Sequence, residues 1–546
     1  MNVAFDPWIP VVDLQGKPER ISIVSLFTKG EKFADLAVRP HERVSLMRLF
    51  LCIAHAALDG PKDYEEWLQV PTKLPNAAER YLTQWKDSFE LFHKTKPWLQ
   101  VADLQETTKK EDKASPKDKT SPVVLLDFEI ASGKNSTLFE HLAESESREV
   151  KLERLALNLL TYQNFSSGGG LPIAQWDSVV TKQVGNLDAP CLSQSMTHSL
   201  FRGNDLLCTI YLNLPSYESI QETYISFNKA KKKDQNVYNS ISLGKPIWEN
   251  FPTSPKPDSE EAVNATKTYL GRLVPISRWV KLLPNFRMYC CAGFKYDKYE
   301  DGFPAEPTAS VKIITRQEEQ KREVVKAAPS KALWRELSSL LVHRTSEGIG
   351  GPIAMSNAPR DEAFDFMVCA ITRDQASMDI AMESVFHIKP ALVSHNSIHK
   401  TEIGGGKNTI GAEGYAIKLR TAIEVYRKEV DWDWERRVEK AGKEKNVLKD
   451  KLAEKALLYY WTNVEKSLSL LMMHIEAIGT DQAEPTRNVW RKAIFQIACD
   501  AYRSACAKET PRQVKAFVKG WRKLVTNDQQ AVSRDDELSY EEEVIA

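Results

Sequence analysis

The segment AIKLRTAIEVYRKEV, residues 416–430, is the clearest indication of the fold, because an apolar side chain recurs in it every three or four positions. This spacing places the apolar side chains on one face of a helix. Three more stripes follow the same rule, from Ala453 to Ile478, from Trp490 to Ala505 and from Val514 to Leu524. Thr510 and Pro511 suit the N-cap and first turn of the last helix. Residues 415–525 are therefore predicted to form an antiparallel four-helix bundle.

A glycine-rich segment precedes these stripes. Five glycines lie between His395 and Gly414, and their backbone freedom opposes regular structure. We therefore expect a linker over residues 396–414, with the domain boundary there.

Upstream, over residues 1–395, strand-like and helical runs alternate. Leu206–Leu212 and Ser310–Ile314 are strand-like, whereas Val44–Leu58 is helical in spacing. The fold class expected is α+β, with a large mixed N-terminal domain followed by the bundle. A length of 546 residues also exceeds what one hydrophobic core usually organises.

Composition excludes a disordered chain, because 42% of the residues are hydrophobic and 13 are Trp. Two segments are exceptions. Residues 105–122 are charged and nearly free of apolar side chains, which predicts a mobile loop, and the acidic tail 526–546 is predicted to be disordered.

Charge is balanced overall, with 74 basic and 74 acidic residues, but it is unevenly distributed. Residues 415–525 hold 23 Lys/Arg against 15 Asp/Glu, and residues 526–546 hold 1 against 7. The surplus on the bundle is typical of a solvated face, but it could also engage several phosphates in a salt-sensitive way.

No membrane or secretory signal is evident. The most apolar early segment, Leu46–Leu58, is short and interrupted by Arg48. We expect a soluble, cytoplasmic protein. Its eight cysteines show no C-x-x-C spacing, so neither a disulfide framework nor a zinc site is predicted.

Catalytic motifs are missing: there is no G-x-S-x-G elbow, no P-loop and no G-x-G-x-x-G after a strand. His395 and His399 lie four apart and could present both rings to a metal from a helix. The adjacent glycines argue against a helix, so a metal-dependent nuclease is only a third hypothesis, and no metal or cofactor is predicted.

Three further positions have ordinary interpretations. Ser166–Gly170 follows the helical run Leu152–Tyr162, which is typical of a helix running into a turn. Alternatively, residues without Cβ let the backbone approach a ligand closely. Lys298 lies among alternating charges and aromatics, which by default form a solvated hairpin face, and Gln375 is by default a turn residue.

Several of these segments, in order, resemble one family closely. They are FDPWIPV at 5–11, KPWLQ at 96–100, QNFSSGGG at 163–170, DAPC at 188–191 and FRGNDLL at 201–207. Together they are similar to the large subunit of the type I-E CRISPR Cascade surveillance complex, the CasA family. The resemblance spans nearly the whole chain and implies a large domain followed by a four-helix bundle.

The resemblance implies a non-enzymatic function. The subunit would recognise a short protospacer-adjacent motif (PAM) in double-stranded DNA and begin strand separation for pairing with the guide RNA. It would then recruit the helicase–nuclease that degrades the target. The implied partners are the other Cascade subunits, the guide RNA, target DNA and the helicase–nuclease. Some family members carry paired C-x-x-C zinc ligands, which this chain lacks.

The resemblance also implies site residues. A glycine loop falls on Gly168, Gly169 and Gly170, a lysine finger on Lys298, and a glutamine wedge on Gln375 with Asp374 and Ala376 beside it. The minor groove offers mainly acceptors in a degenerate code, which a Lys donor and a backbone loop can read tolerantly. The rival hypothesis is a structural scaffold that docks protein partners and never touches DNA.

Overall fold

The computed structural model describes residues 1–106, 120–127, 149–181, 188–230, 242–299, 305–316, 319–344, 349–374, 377–405, 410–431 and 445–525. The chain divides into two compact units, Met1–Ile388 and Lys389–Ala546. The expected mobile loop lies mostly, and the acidic tail wholly, outside the described residues.

Five small sheets are described in the first unit. Their strands are β1 Ile9–Asp13, β2 Pro18–Ile21, β3 Phe33–Leu36, β4 Gln105–Glu106, β5 Ser121–Pro122, β6 Ala174–Trp176, β7 Val179–Val180, β8 His198–Arg202, β9 Arg278–Leu282, β10 Arg287–Ala292, β11 Val311–Arg316, β12 Glu319–Val324, β13 Phe364–Asp374 and β14 Ser377–Ile388. The sheet orders are β2-β1-β3, β5-β10-β9, β11-β12, β14-β13-β8 and β4-β6-β7, and the pairings are antiparallel.

Helices separate these strands. They are α1 Ile23–Lys29, α2 Pro40–Leu58, α3 Tyr64–Leu68, α4 Val70–Gln84, α5 Leu152–Phe165, α6 Leu206–Asn213, α7 Tyr217–Ala230, α8 Glu260–Lys267, α9 Tyr269–Leu273 and α10 Leu337–Leu340. Short 3-10 turns occur at Gly30–Lys32, Lys86–Phe89, Val123–Leu126, Ser193–Ser195, Leu333–Glu336 and Ile353–Asn357. The mixed α and β character expected from the sequence is confirmed.

Helix α2 is the centre of the first unit. Pro40 occupies its first turn, and the Glu42 carboxylate accepts a hydrogen bond from the Arg39 N–H at 2.9 Å, which satisfies an otherwise unpaired donor. Residues 41–55 are all buried, so the helix has no solvent face. The helix predicted for Val44–Leu58 is confirmed. Because α2 is buried, its polar side chains need hydrogen-bond or ionic partners inside the unit.

The strand predicted at Leu206–Leu212 is wrong, because these residues form helix α6. The Asp205 side chain accepts a hydrogen bond from the Cys208 N–H at 2.8 Å and so caps the helix. A short apolar run is compatible with either state, and the cap decides between them. The strand predicted at Ser310–Ile314 is confirmed by β11.

The β14-β13-β8 sheet packs against the end of helix α5. Met367, Cys369 and Ile371 of β13 share a buried cluster with Phe165, the last residue of α5, and with Cys191. The sheet therefore supports the segment that follows α5.

The second unit is helical in its described residues. Its helices are α11 Pro390–Ser394, α12 Asn396–Gly404, α13 Ala412–Val430, α14 Lys445–Lys466, α15 Leu468–Ala477, α16 Ala483–Ala505 and α17 Pro511–Val525. Helix α13 packs on α17, and α16 packs on both α14 and α15. The apolar stripes lie on helix, except that the second is divided between α14 and α15 and its last residue, Ile478, lies just past the end of α15. Thr510 caps α17 as expected, since its hydroxyl accepts from the Gln513 N–H at 3.3 Å.

The glycine-rich segment differs from the expected linker. The second unit begins at Lys389, not after residue 414, and Asn396–Gly404 forms helix α12. The glycines cluster at the end of α12 and beyond it, so Asn396 to Ile403 were free to become helical. Gly405, at φ 90°, ends the helix in a conformation that favours glycine.

None of the eight cysteines forms a disulfide, and seven of them are buried. In the part of the chain that the structure describes, no helix combines the length and the apolar character needed to cross a bilayer.

Candidate nucleic-acid interface

The glycine loop, defined here as Gly168, Gly169 and Gly170, leaves the end of helix α5. The Ser166 N–H donates to the Tyr162 carbonyl at 2.9 Å, which closes the last helical turn. The Ala189 N–H then donates to the Ser166 carbonyl at 2.9 Å. Residues 188–191 therefore run along the loop's base and fix where it starts.

Arg278, at the start of β9, supports the loop from another direction. Its Nη2 donates to the Ser167 carbonyl at 2.8 Å, next to the first glycine. The Gln163 side chain holds Arg278 through two hydrogen bonds, accepting from its N–H at 2.9 Å and donating to its carbonyl at 2.8 Å. Arg278 and Gln163 are both buried, so the base of the loop is rigidly supported.

Asp188 joins the glycine loop to Lys298. Its Oδ1 accepts from the Gly168 N–H at 2.8 Å, and its Oδ2 lies 3.7 Å from Lys298 Nζ. The Asp188 side chain is 9% exposed and that of Lys298 is 26% exposed. The structure thus brings two of the predicted elements, 130 positions apart in sequence, onto one carboxylate.

The middle of the loop has room around it. A Cβ built on Gly169 meets no atom within 4 Å in the part of the chain that the structure describes, and the residue's φ of 158° is one that side-chain-bearing residues rarely adopt. Gly168 is buried, Gly169 is half-buried and Gly170 is exposed. The loop therefore rises from a supported base to a solvent-facing tip without side chains.

The segment that carries Lys298 is not the solvated hairpin face expected from its alternating residues. Strand β10 ends at Ala292, and Tyr296 is buried with its hydroxyl accepting from the Ile276 N–H at 2.8 Å. Arg272 Nη2 donates to the Asp297 carbonyl at 3.1 Å. These contacts fix the backbone on the N-terminal side of Lys298, while its side chain stays partly exposed.

A buried charge cluster lies beneath this segment. Glu306 accepts from Arg48 Nη2 at 2.9 Å and from Arg272 Nε at 3.2 Å, and all three side chains are buried. Burial alone would raise the pKa of Glu306, but the two guanidinium groups outweigh it and lower that pKa to about 2. The glutamate is therefore an anion that balances two buried cations.

This cluster, called here the Glu306 cluster, lines the same small hollow as Asp188 and Lys298. The hollow is lined by Asp188, Lys298, Tyr299, Arg272 and Glu306, among others. Sequence reasoning missed Asp188, Arg272 and Glu306 as site residues. The one available signal was Arg48, a charge inside an apolar helix that had to find an anion.

Gln375 and Ala376 lie outside the described residues, as does the side chain of Asp374. The strands on either side are described: Asp374 ends β13 and pairs with Ser377, the first residue of β14. Strand β13 belongs to the sheet that packs on Phe165. Phe165 precedes the glycine loop by three positions. The position of the wedge itself stays a prediction.

The histidine pair occupies a different environment from the one expected. His395 precedes α12 and His399 lies within it, so the argument against a helix was wrong. Burial lowers the pKa of His399 to about 4, and neither ring nitrogen has a hydrogen-bond partner. Among the described residues, no group of three or more His, Cys, Asp or Glu side chains could hold a metal ion.

The architecture and the loop geometry can be compared with known proteins. A family model described as CRISPR-associated protein Cse1 matches residues 2–501. The chain belongs to the Cse1 family. The family resemblance expected from the sequence is thereby confirmed.

Individual relatives agree with this assignment. A CasA/Cse1 protein of Thermus thermophilus is 28% identical over 365 residues, which span 65% of this Cse1-family chain and 61% of that relative. The solved structure of Thermus thermophilus CasA (Cse1) matches with a TM-score of 0.67 at 20% identity, covering 96% of this chain and 98% of the other. A chain of a CRISPR RNA-guided surveillance complex matches with a TM-score of 0.65 at 18% identity, covering 96% and 99%.

Chemically, the arrangement offers a backbone loop and a lysine donor that meet at one carboxylate. A loop without Cβ atoms permits close approach of its backbone to a ligand. The Lys298 amine lies near this loop, on a backbone segment that the buried Tyr296 helps to hold in place. Both elements suit a ligand that presents acceptors along a narrow edge.

Proposed function

We propose that this Cse1-family chain is the large subunit of a type I-E Cascade complex, which recognises the PAM in double-stranded DNA through the minor groove. It would nucleate duplex unwinding and R-loop formation, and then recruit a helicase–nuclease for target degradation in antiviral defence. The proposed partners are the other Cascade subunits, the guide RNA, the target duplex and that helicase–nuclease. The subunit itself is proposed to be non-enzymatic, cofactor-free and cytoplasmic.

One observation carries the proposal: Asp188 holds the first amide of the glycine loop and the amine of Lys298 on the same carboxylate. A backbone loop and a lysine that lie this close can both reach one stretch of duplex edge. Base edges in the minor groove display acceptors at A·T pairs and one extra donor at G·C pairs. A lysine therefore accepts several related motifs rather than a single sequence.

Duplex opening is proposed to fall to Gln375, flanked by Asp374 and Ala376. Side chains inserted between base steps disrupt stacking at a cost of a few kcal/mol, which new contacts offset. Sequence choice then passes to the guide RNA, as in RNA-guided recognition generally. The pairing of β13 and β14 on either side of Gln375 and Ala376 supports this role, because it gives the connection a firm base.

The second unit is proposed to form the four-helix bundle, with α14 and α15 together contributing its second member. Its surplus of basic residues over 415–525 supports contact with a polyanion. Phosphate contacts of this kind add affinity without sequence preference.

The test is Lys298→Ala in the reconstituted complex. Loss of a charged groove contact should weaken binding to a motif-bearing duplex by about 1–3 kcal/mol, with little change on a duplex whose motif is scrambled. Lys281→Ala is the matched control, because Lys281 is a partly exposed lysine of the same unit, on β9. Undiminished motif-specific binding by Lys298→Ala would refute the proposed role.

The scaffold hypothesis is separated by crosslinking. A photoreactive residue at Gly170, which is exposed, should crosslink to the motif in the assembled complex. Crosslinks to protein subunits alone would favour a scaffold that never touches DNA.

A further inference from the structure

The proposed function uses Asp188 only to show that the glycine loop and Lys298 lie close together, and it gives the carboxylate itself no role in binding DNA. Its carboxylate presents two anionic acceptor oxygens to the two elements proposed to meet DNA. One oxygen takes the Gly168 N–H at 2.8 Å, and the other faces Lys298 Nζ at 3.7 Å. An acceptor supplied by the chain itself therefore faces both of the elements that are proposed to meet DNA.

The two contacts differ in strength. The bond to Gly168 is short and directional, whereas 3.7 Å is an ionic attraction beyond normal hydrogen-bond length. The backbone around Asp188 is also fixed, because the neighbouring Ala189 N–H donates to Ser166 at 2.9 Å. Lys298 is the more exposed partner and has a long flexible stem. When DNA arrives, the lysine can move while Asp188 stays with the loop.

We propose that Asp188 is a specificity-determining residue that acts through Lys298, as a built-in counter-ion that the lysine must leave or share to engage DNA. This inference rests on the proposed function. Any phosphate could attract an uncompensated lysine, which would favour every sequence equally. Beside Asp188, the lysine gains free energy only where the groove offers an acceptor good enough to replace the carboxylate. The Asp188 carboxylate thus lowers the affinity for a duplex without the motif more than the affinity for a motif-bearing duplex.

The test uses Asp188→Asn in the assembled complex. Asparagine keeps an oxygen that can accept from the Gly168 N–H, so the loop stays capped while the negative charge that faces Lys298 is lost. Two probes are used: a target duplex carrying the best motif from a randomised library, and the same duplex with that motif scrambled. The variant should bind the scrambled duplex about three- to fivefold more tightly, the upper part of the range expected for a partly exposed ion pair. The affinity ratio between the two duplexes should fall by a similar factor.

Three variants make the result specific. In a Lys298→Ala background, Asp188→Asn should change neither affinity by more than about twofold, because the effect passes through the lysine. Asp258→Asn removes one exposed charge elsewhere in the same unit and should leave the ratio unchanged. Asp188→Ser, a smaller neutral acceptor, replaces Asp188→Asn if the latter does not assemble, and should give the same loss of discrimination.

The proposal is overturned if Asp188→Asn leaves the ratio unchanged, if it weakens both duplexes equally, or if its effect persists in the Lys298→Ala background. Failure of the proposed function has a different signature. In that case Lys298→Ala alone leaves motif-specific binding intact. If Lys298→Ala weakens that binding while Asp188→Asn changes nothing, only the role of Asp188 is refuted.

Discussion

Glu306→Gln should destabilise the first unit, and it should do so most strongly around Lys298. The substitution preserves size and hydrogen-bonding atoms but removes the anion between Arg48 and Arg272. Both guanidinium groups are nearly inaccessible, at 0% and 4% exposure. Two buried cations would then lose the carboxylate that balances them.

Two lines of reasoning give the magnitude. Removing one partner of a buried ion pair costs about 3–5 kcal/mol. The pKa of Glu306, lowered from 4.5 to about 2, corresponds independently to about 3 kcal/mol at neutral pH. We expect a loss of about 3 kcal/mol or more in the free energy of unfolding.

Native-state hydrogen exchange measured by mass spectrometry is the assay. Peptides covering residues 268–274 and 294–299 should exchange on the order of 100-fold faster, since 1.4 kcal/mol is a factor of ten. Peptides of α16, in the second unit, should be unchanged. Glu484→Gln is the control, because Glu484 is 72% exposed and its pair with Arg487 contributes little. Equal exchange in wild type and Glu306→Gln would refute the buried-anion interpretation.

Three further outcomes are expected. Burial lowers the pKa of His198 to about 4, so this histidine is protonated in the unfolded chain at a higher pH than in the folded protein. The free energy of unfolding should therefore be highest above pH 6.5 and fall from there towards pH 4. Urea denaturation measured across this pH range should show a smaller slope for His198→Gln. Gly520→Ala should destabilise the second unit by about 1–3 kcal/mol in thermal unfolding, because the new Cβ would stand 2.1 Å from Tyr502 Oη, whereas exposed Val514→Ala on the same helix should have little effect. Gln375→Ala should slow opening of an intact duplex while leaving binding to a pre-opened target unchanged, as followed by fluorescence of a base analogue; equal losses on both substrates would contradict the wedge.

Local patterns in the sequence predicted much of the helical structure. The stripes over 416–525 lie on helix because amphipathic spacing and capping act within a few residues. The same local logic failed for Leu206–Leu212, where a single cap at Asp205 selected helix over strand. It failed again at Asn396–Gly404, where the glycines end the helix rather than prevent it.

The site was predictable only in part. The glycine loop and Lys298 were named from the family resemblance, and the structure places both of them against Asp188. The role of Asp188 could not be predicted, although the residue belongs to the family segment DAPC. The neighbouring sequence does not indicate that its carboxylate will face a lysine more than a hundred residues away. The Glu306 cluster could not be predicted for the same reason. The sequence offered one signal for it, Arg48, because a charge within an apolar helix needs an anionic partner when it is buried.

The most direct measurement is a structure of the reconstituted complex bound to a motif-bearing duplex. We expect the glycine loop to lie against the minor groove and Lys298 Nζ to lie within about 3.2 Å of a base-edge acceptor of the motif. This expectation would be contradicted by a complex in which the motif is contacted by other residues while the loop and Lys298 both remain far from DNA.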